Sequence, residues 1–175
     1  MNLPNFLSIS RIFLLIPIIA FFVNDLFILS ILTFVIASIT DYLDGYYARK
    51  KNLISDLGAY LDLLADKIFV SVILIWMTFN FNSLAILISS ILIVSREISI
   101  SYLRLYVISK TENIDEVKSD LLGKYKTTFQ MIALGFILIS PITPDLVFNL
   151  SLSLLLFSAL ISWYSFLRYL KKWIV

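Results

Sequence analysis

Six long apolar segments follow one another through this chain of 175 residues and constrain its fold more than any other feature. A helix needs about 20 apolar residues to cross the hydrocarbon core of a bilayer. Hydrophobic residues make up 60% of the chain and its mean hydropathy is +0.95, whereas a soluble domain is about 45–50% apolar. A soluble globular fold is therefore excluded, and we predict membrane spans at residues 7–23, 26–49, 58–79, 83–109, 122–139 and 146–170.

The apolar segments are rich in Ile, Leu and Phe and lack the strict alternation of membrane β-strands, so we expect helices. Six spans use about 120 residues, and the short links between them leave no room for a second domain. The predicted fold class is all-α: a polytopic membrane protein with six transmembrane helices in one domain over residues 1–175. No positive charge precedes the first apolar run, so a cleaved signal peptide is not expected.

Basic residues gather on one side of the predicted membrane. With the N-terminus placed in the cytoplasm, the second, fourth and sixth spans end there, and the opposite links carry Asp25 and Asp145 but no Lys or Arg. Because cytoplasmic loops usually carry the excess of Lys and Arg, we expect both termini and the polar site to face the cytoplasm. The basic residues on or near that side are Arg49, Lys50, Lys51, Arg104, Lys110, Lys118, Lys124, Arg168, Lys171 and Lys172.

Two residue types that often carry chemistry are missing from the sequence, because it contains no cysteine and no histidine. Disulfides, thiolate metal sites and imidazole ligands are thereby excluded, as is catalysis by a Ser-His-Asp triad. Any catalysis must use carboxylates, amines, guanidinium groups, hydroxyls or bound metal.

Four aspartates lie close together where the second predicted span ends and the third begins. Asp41 and Asp44 are three residues apart, and Asp62 and Asp66 are four apart, so each pair occupies one face of its helix. A short connection makes the two helices antiparallel neighbours. We therefore expect the pairs to face each other just inside the cytoplasmic surface.

Four clustered carboxylates repel one another, and each costs about 2.5–3.5 kcal/mol at a bilayer centre and less near the surface. Lys67 and Arg49 neutralise part of this charge, but divalent cations do so better, because hard oxygen ligands suit Mg²⁺, Mn²⁺ or Ca²⁺. Four carboxylates hold two metals if some of them bridge. An ion-coupled transporter and a set of structural ion pairs are the alternative interpretations.

Small residues accompany the aspartates. Gly45, Ala48 and Gly58 leave stretches of bare helix where a flat or bulky ligand can approach the backbone. Close packing between helices is the alternative explanation for such residues in a membrane.

A second group of candidate residues is basic. Arg96 and Arg104 are eight residues apart, so their positions differ by about 80° around a helix and share one broad face. Lys124 and Lys126 lie where the fifth span begins. Together these four residues predict an anion pocket, whereas ordinary snorkelling to lipid headgroups is the alternative.

The aspartate segment resembles the signature of the CDP-alcohol phosphatidyltransferase family, which reads D-x2-D-G-x2-A-R-x8-G-x3-D-x3-D. Three further segments resemble one bacterial branch of that family: residues 2–8 with Arg11, residues 95–98 followed by Arg104, and residues 123–128 with Gln130 and Met131. The signature is matched at every fixed position by Asp41, Asp44, Gly45, Ala48, Arg49, Gly58, Asp62 and Asp66.

The resemblance implies a reaction and its partners. The branch transfers the phosphatidyl group of CDP-diacylglycerol to sn-glycerol 3-phosphate and releases CMP, within a bacterial inner membrane. Inositol phosphate, serine and phosphatidylglycerol are acceptors elsewhere in the family, and the basic group disfavours serine. The resemblance also implies two divalent cations, Mg²⁺ or Mn²⁺, and a homodimer.

The resemblance further implies roles for individual residues. Asp41, Asp44, Asp62 and Asp66 bind the metals, and Asp66 is the candidate general base. CDP-diacylglycerol is contacted by Asn5, Gly45, Ala48, Arg49 and Gly58. The anion pocket predicted from the basic residues Arg96, Arg104, Lys124 and Lys126 is then the expected site of the acceptor phosphate.

Overall fold

The structure is a computed structural model. It describes the backbone of residues 3–50, 56–111 and 121–174, and the side chains of residues 9–40, 64–103, 106–107 and 126–171. All regular structure in these ranges is helical. The helices are α1 (Leu3–Val23), α2 (Phe27–Lys50), α3 (Asp56–Phe81), α4 (Leu84–Thr111), α5 (Leu121–Ile139) and α6 (Asp145–Ile174), with a 3-10 turn at Ser140–Ile142.

The all-α prediction is confirmed for the described ranges, where each of the six α-helices overlaps one predicted span and ends within a few residues of its predicted bounds. The tight links also lie where the sequence places them. Asp25 and Asn82 adopt φ values of 60° and 45°, a left-handed conformation that Asp and Asn tolerate better than most residues. The side-chain amide of Asn24 donates through Nδ2 to the main-chain oxygen of Ala20 at 2.7 Å and so caps the end of α1.

Contacts among the described residues arrange the helices in a closed ring, in the order α1, α2, α5, α6, α4, α3 and back to α1. Every helix contributes to one core inside this ring. Its fully buried members include Ile18, Ala37, Ile73, Met77, Ile86, Ile93, Leu134, Ile137, Leu155 and Ala159. Gly135 lies where α5 meets α2, and a Cβ atom there would lie 3.4 Å from Cδ1 of Ile31.

The relative direction of the first three helices follows from their contacts. Phe22 and Trp76, near the ends of α1 and α3, stack edge to face at 4.8 Å. Arg11 contacts Asp66 nearer the starts of the same two helices, so α1 and α3 run parallel. Because α1 and α2 form a tight hairpin, α2 runs antiparallel to α3, as predicted. Among the described contacts, α1 lies between these two helices in the ring.

Three of the described helices are long and apolar enough to cross a membrane, over Leu64–Phe81, Leu84–Leu103 and Asp145–Lys171. The other apolar runs, Ile9–Val23, Phe27–Thr40 and Lys126–Ile142, are shorter. Large apolar side chains point outward on every side of the ring, as Phe79 does with 87% of its surface exposed. Such an exterior matches lipid rather than water, which makes the chain an integral membrane protein. That all six helices cross the membrane stays a prediction.

Candidate functional site

The segments that carry the four aspartates are aligned by an aromatic contact between α2 and α3. The rings of Phe34 and Phe69 stack with centroids 5.8 Å apart. Asp41 lies seven residues after Phe34, and Asp62 lies seven residues before Phe69. In antiparallel helices both positions are then about 10 Å along the axis from the contact, on the same side of it. The backbone thus brings the two acidic segments to one level.

Several predicted site residues lie outside the described side chains. Among the side chains that are described, no group of three or more acids or other metal-binding residues occurs, which leaves the metal site untested. The predictions concerned are the ligands Asp41, Asp44 and Asp62, the donor-binding residues Asn5, Gly45, Ala48, Arg49 and Gly58, and the basic residues Arg104 and Lys124.

Asp66 is the predicted catalytic residue and metal ligand whose side chain is described. Its Oδ1 atom forms an ion pair with the guanidinium of Arg11. The side chain of Arg11 is 1% exposed and that of Asp66 is 47% exposed. The buried guanidinium therefore anchors one carboxylate oxygen, while nearly half of the aspartate side chain stays exposed.

A second polar cluster is centred on Glu97, in α4. Its Oε1 atom accepts a hydrogen bond from Nη1 of Arg96 at 2.9 Å and also contacts the amine of Lys126. Arg96 and Lys126 are both 4% exposed. Two of the four predicted acceptor-binding cations are thus brought together from α4 and α5, held on the same carboxylate oxygen.

Lys67 joins the acidic helix to this second cluster. Its Nζ atom donates to the main-chain oxygen of Glu97 at 3.1 Å and to the hydroxyl of Ser101, and it lies 3.9 Å from Oε2 of Glu97. The sequence suggested Lys67 as a partner for the aspartates, which stays a prediction, and the described contacts show its amine held against α4. Because Lys67 follows Asp66 directly, the two clusters share one turn of α3.

Reasoning from the sequence alone gave no role to Ser162, Glu97 or Arg11, all of which contact predicted site residues. Ser162 in α6 accepts from Nε of Arg96 through its main-chain oxygen at 3.1 Å, and its hydroxyl lies 3.5 Å from the amine of Lys126. Glu97 was noticed as part of a resembling segment but received no role. The position of Glu97 nevertheless indicates a role, because an acidic residue within an apolar span is by default a functional candidate.

The two clusters occupy one end of the ring and offer complementary chemistry. Carboxylate positions on α2 and α3 suit hard cations, and the buried guanidinium and amine on α4 and α5 suit an anion. The guanidinium of Arg96 is planar, a shape that matches the oxygens of a phosphate group, and its Nε and Nη1 atoms donate to Ser162 and Glu97. The arrangement suits an anionic substrate held beside metal-bound phosphates.

Comparison with known proteins agrees with this chemistry. A family model described as CDP-alcohol phosphatidyltransferase matches residues 1–167. The chain belongs to the CDP-alcohol phosphatidyltransferase family, and the resemblance drawn from the aspartate signature is confirmed.

Individual relatives extend over most of the chain. A protein of Rickettsia felis is 35% identical, with 98% of this chain and 97% of the relative aligned. One of Haemophilus influenzae is 40% identical over 78% of this chain and 75% of the relative, and one of Sodalis glossinidius is 32% identical over 97% and 93%. All three are named CDP-diacylglycerol–glycerol-3-phosphate 3-phosphatidyltransferase.

Proposed function

We propose that this protein is a phosphatidylglycerophosphate synthase, which transfers the phosphatidyl group of CDP-diacylglycerol to sn-glycerol 3-phosphate and releases CMP. Three relatives with that activity in their names align with most of the chain. The observation that carries the choice of acceptor is the buried pair of cations, Arg96 and Lys126, held on one oxygen of Glu97. A phosphorylated acceptor needs such a pair, whereas serine does not.

The acidic segments fit a pair of divalent cations. Four carboxylates provide only oxygen ligands, which Mg²⁺ and Mn²⁺ prefer, and the contact between Phe34 and Phe69 supports their common level. In this proposal Asp41, Asp44 and Asp62 hold one cation, and Asp41, Asp62 and Asp66 hold the other. When bound, the two cations neutralise charge on the donor diphosphate and on the leaving CMP.

The donor binds beside these aspartates. Gly45, Ala48 and Gly58 leave room for cytidine and its phosphates, Arg49 lies close to the phosphates, and Asn5 contacts the donor. The acyl chains remain among the lipids that surround the apolar exterior of the ring. Because the acceptor is a small anion, it enters from the aqueous side.

Asp66 accepts the proton that the reaction releases. The 1-hydroxyl oxygen of the acceptor bonds to the phosphorus of the phosphatidyl group, the bond from that phosphorus to the CMP oxygen breaks, and the hydroxyl proton passes to Asp66. Arg11 orients the carboxylate through Oδ1. Arg96 and Lys126, joined by Arg104 and Lys124, hold the acceptor phosphate so that its hydroxyl meets the donor.

The test is a transfer assay with purified protein, CDP-diacylglycerol, Mg²⁺ or Mn²⁺ and radiolabelled sn-glycerol 3-phosphate. We expect label to enter the lipid phase, and we expect Asp62→Asn and Asp66→Asn to abolish incorporation. Asp145→Asn is the matched control, because it makes the same change at an exposed residue where α6 begins. Inositol phosphate and serine serve as competing acceptors.

Two results contradict the proposal. Faster transfer to inositol phosphate or serine than to sn-glycerol 3-phosphate assigns a different acceptor. Ion flux into vesicles without lipid synthesis, lost in Asp62→Asn, supports the cation transporter instead.

We also propose six crossings of a bacterial inner membrane, with both termini in the cytoplasm and residues 1–175 forming one domain. The chain has no native cysteine, so Asn24→Cys and Lys171→Cys each introduce a single thiol. An impermeant thiol reagent should label the two from opposite sides of the membrane, and labelling from the same side contradicts the topology. A homodimer, which the family resemblance implies, is tested by light scattering of the purified protein.

A further inference from the structure

Glu97 connects three helices at the polar end of the ring. Through its two carboxylate oxygens and its main-chain oxygen it contacts Arg96 in α4, Lys126 in α5 and Lys67 in α3. Its side chain is 22% exposed, so it lies at the edge of the buried cation pair rather than beneath it. A carboxylate in this position fixes where the two cations stand.

The same cations are anchored a second time on α6. Nε of Arg96 donates to the main-chain oxygen of Ser162, and the amine of Lys126 lies 3.5 Å from the hydroxyl of that serine. Two like charges that share two anchors lose little conformational freedom when a ligand binds. The cation pair is therefore pre-organised as a unit.

A continuous series of contacts links this unit to the base. Asp66 and Lys67 are consecutive in α3, Lys67 is tied to Glu97 and Ser101 in α4, and Glu97 holds Lys126. The separation between the acceptor phosphate and the base is thereby set by side chains that do not themselves need to touch the substrate.

We propose that Glu97 and Lys67 are positioning residues that set this separation and so select acceptors by the number of carbons between phosphate and hydroxyl. The inference rests on the proposed function. In sn-glycerol 3-phosphate three carbons separate the phosphate oxygen from the reacting hydroxyl. A rigid spacing favours that length, because a misplacement of about 1 Å in a reacting group is enough to cost about 100-fold in rate.

The test compares acceptors of different length. Transfer is measured to the monophosphates of ethylene glycol, 1,3-propanediol and 1,4-butanediol, which place two, three and four carbons between phosphate and hydroxyl. Wild-type protein should prefer three carbons. In Glu97→Gln and Lys67→Met we expect the preference for three carbons over four to fall about tenfold, which corresponds to about 1.4 kcal/mol.

Two further readouts separate positioning from general damage. The KM for sn-glycerol 3-phosphate should rise about tenfold in Glu97→Gln, because Arg96 and Lys126 lose the carboxylate that holds them in place before the phosphate binds, while the KM for CDP-diacylglycerol stays unchanged. Glu97→Asp and Lys67→Arg keep the charges and should restore much of the preference for three carbons. Asp145→Asn is the control and should leave both KM values and the preference as in wild type.

The outcomes distinguish the inference from the function on which it rests. If wild-type protein transfers nothing to sn-glycerol 3-phosphate, the proposed function fails and the inference fails with it. If wild-type protein is active and all variants keep its preference among acceptor lengths, only the inference is overturned. If Glu97→Gln and Lys67→Met do not fold, Ser101→Ala is used instead, because it removes one partner of Lys67. A lowered ratio of the rate with the three-carbon acceptor to the rate with the four-carbon acceptor then supports the inference, and an unchanged ratio overturns it.

Discussion

Phe69→Ala tests whether the packing of α2 against α3 aligns the acidic segments. Phe69 is 1% exposed and stacks on Phe34, and it lies one turn of helix from Asp66. Loss of the phenyl ring of Phe69 opens a space between α2 and α3. The contact at Phe69 then no longer fixes the position of the α2 aspartates, along the helix axis, relative to the aspartates on α3.

The expected loss in the free energy of unfolding follows from what the phenyl ring of Phe69 contributes within a membrane. Lipid is as apolar as the core, so little transfer free energy is lost and packing is the main term. Removing roughly 100 Å³ of side chain at about 24 cal/mol per Å³ costs about 2.4 kcal/mol if the neighbours do not move. The lost aromatic contact adds about 0.5–1.5 kcal/mol, so we expect destabilisation of about 3–4 kcal/mol.

The assay combines unfolding in detergent with transfer activity at increasing Mg²⁺ concentration. Phe69→Ala should lower the unfolding midpoint and raise the Mg²⁺ concentration needed for half-maximal activity. Phe79→Ala is the matched control, because it makes the same change in α3 at a ring that is 87% exposed, and we expect almost no effect. If the two variants behave alike in both measurements, the alignment of the acidic segments does not depend on this contact.

Substitutions at three other positions test further parts of the structure. Arg11→Met should lower kcat at least tenfold and leave the KM for sn-glycerol 3-phosphate unchanged, because Arg11 orients Asp66 rather than the acceptor; a change in that KM alone contradicts this role. Gly135→Ala should be neutral or stabilise the protein by up to about 1 kcal/mol in thermal unfolding, since alanine favours helix and its Cβ only reaches ordinary contact; Gly135→Leu should be destabilising. Trp163→Phe removes the 2.9 Å hydrogen bond from the indole to the main-chain oxygen of Leu92, which should cost about 0.5–1.5 kcal/mol in the same assay, and an unchanged midpoint would show that this link between α4 and α6 contributes nothing.

The sequence by itself determined the class of structure and the family. Apolar length and composition depend only on local residues, so they identify membrane helices and place the helix ends within a few residues. The aspartate signature is also local, because its fixed positions span only residues 41–66. These features were therefore readable without any knowledge of how the helices pack.

Only the tertiary structure decided which charges meet. Arg11 and Asp66 are 55 residues apart, and Lys126 and Glu97 are 29 apart, so no helical periodicity relates them. Their contacts depend on the order of helices in the ring, where α1 lies against α3 and α6 lies against both α4 and α5. The sequence shows that a buried charge needs a partner, but the choice of partner depends on the packing of distant segments, which local patterns do not encode.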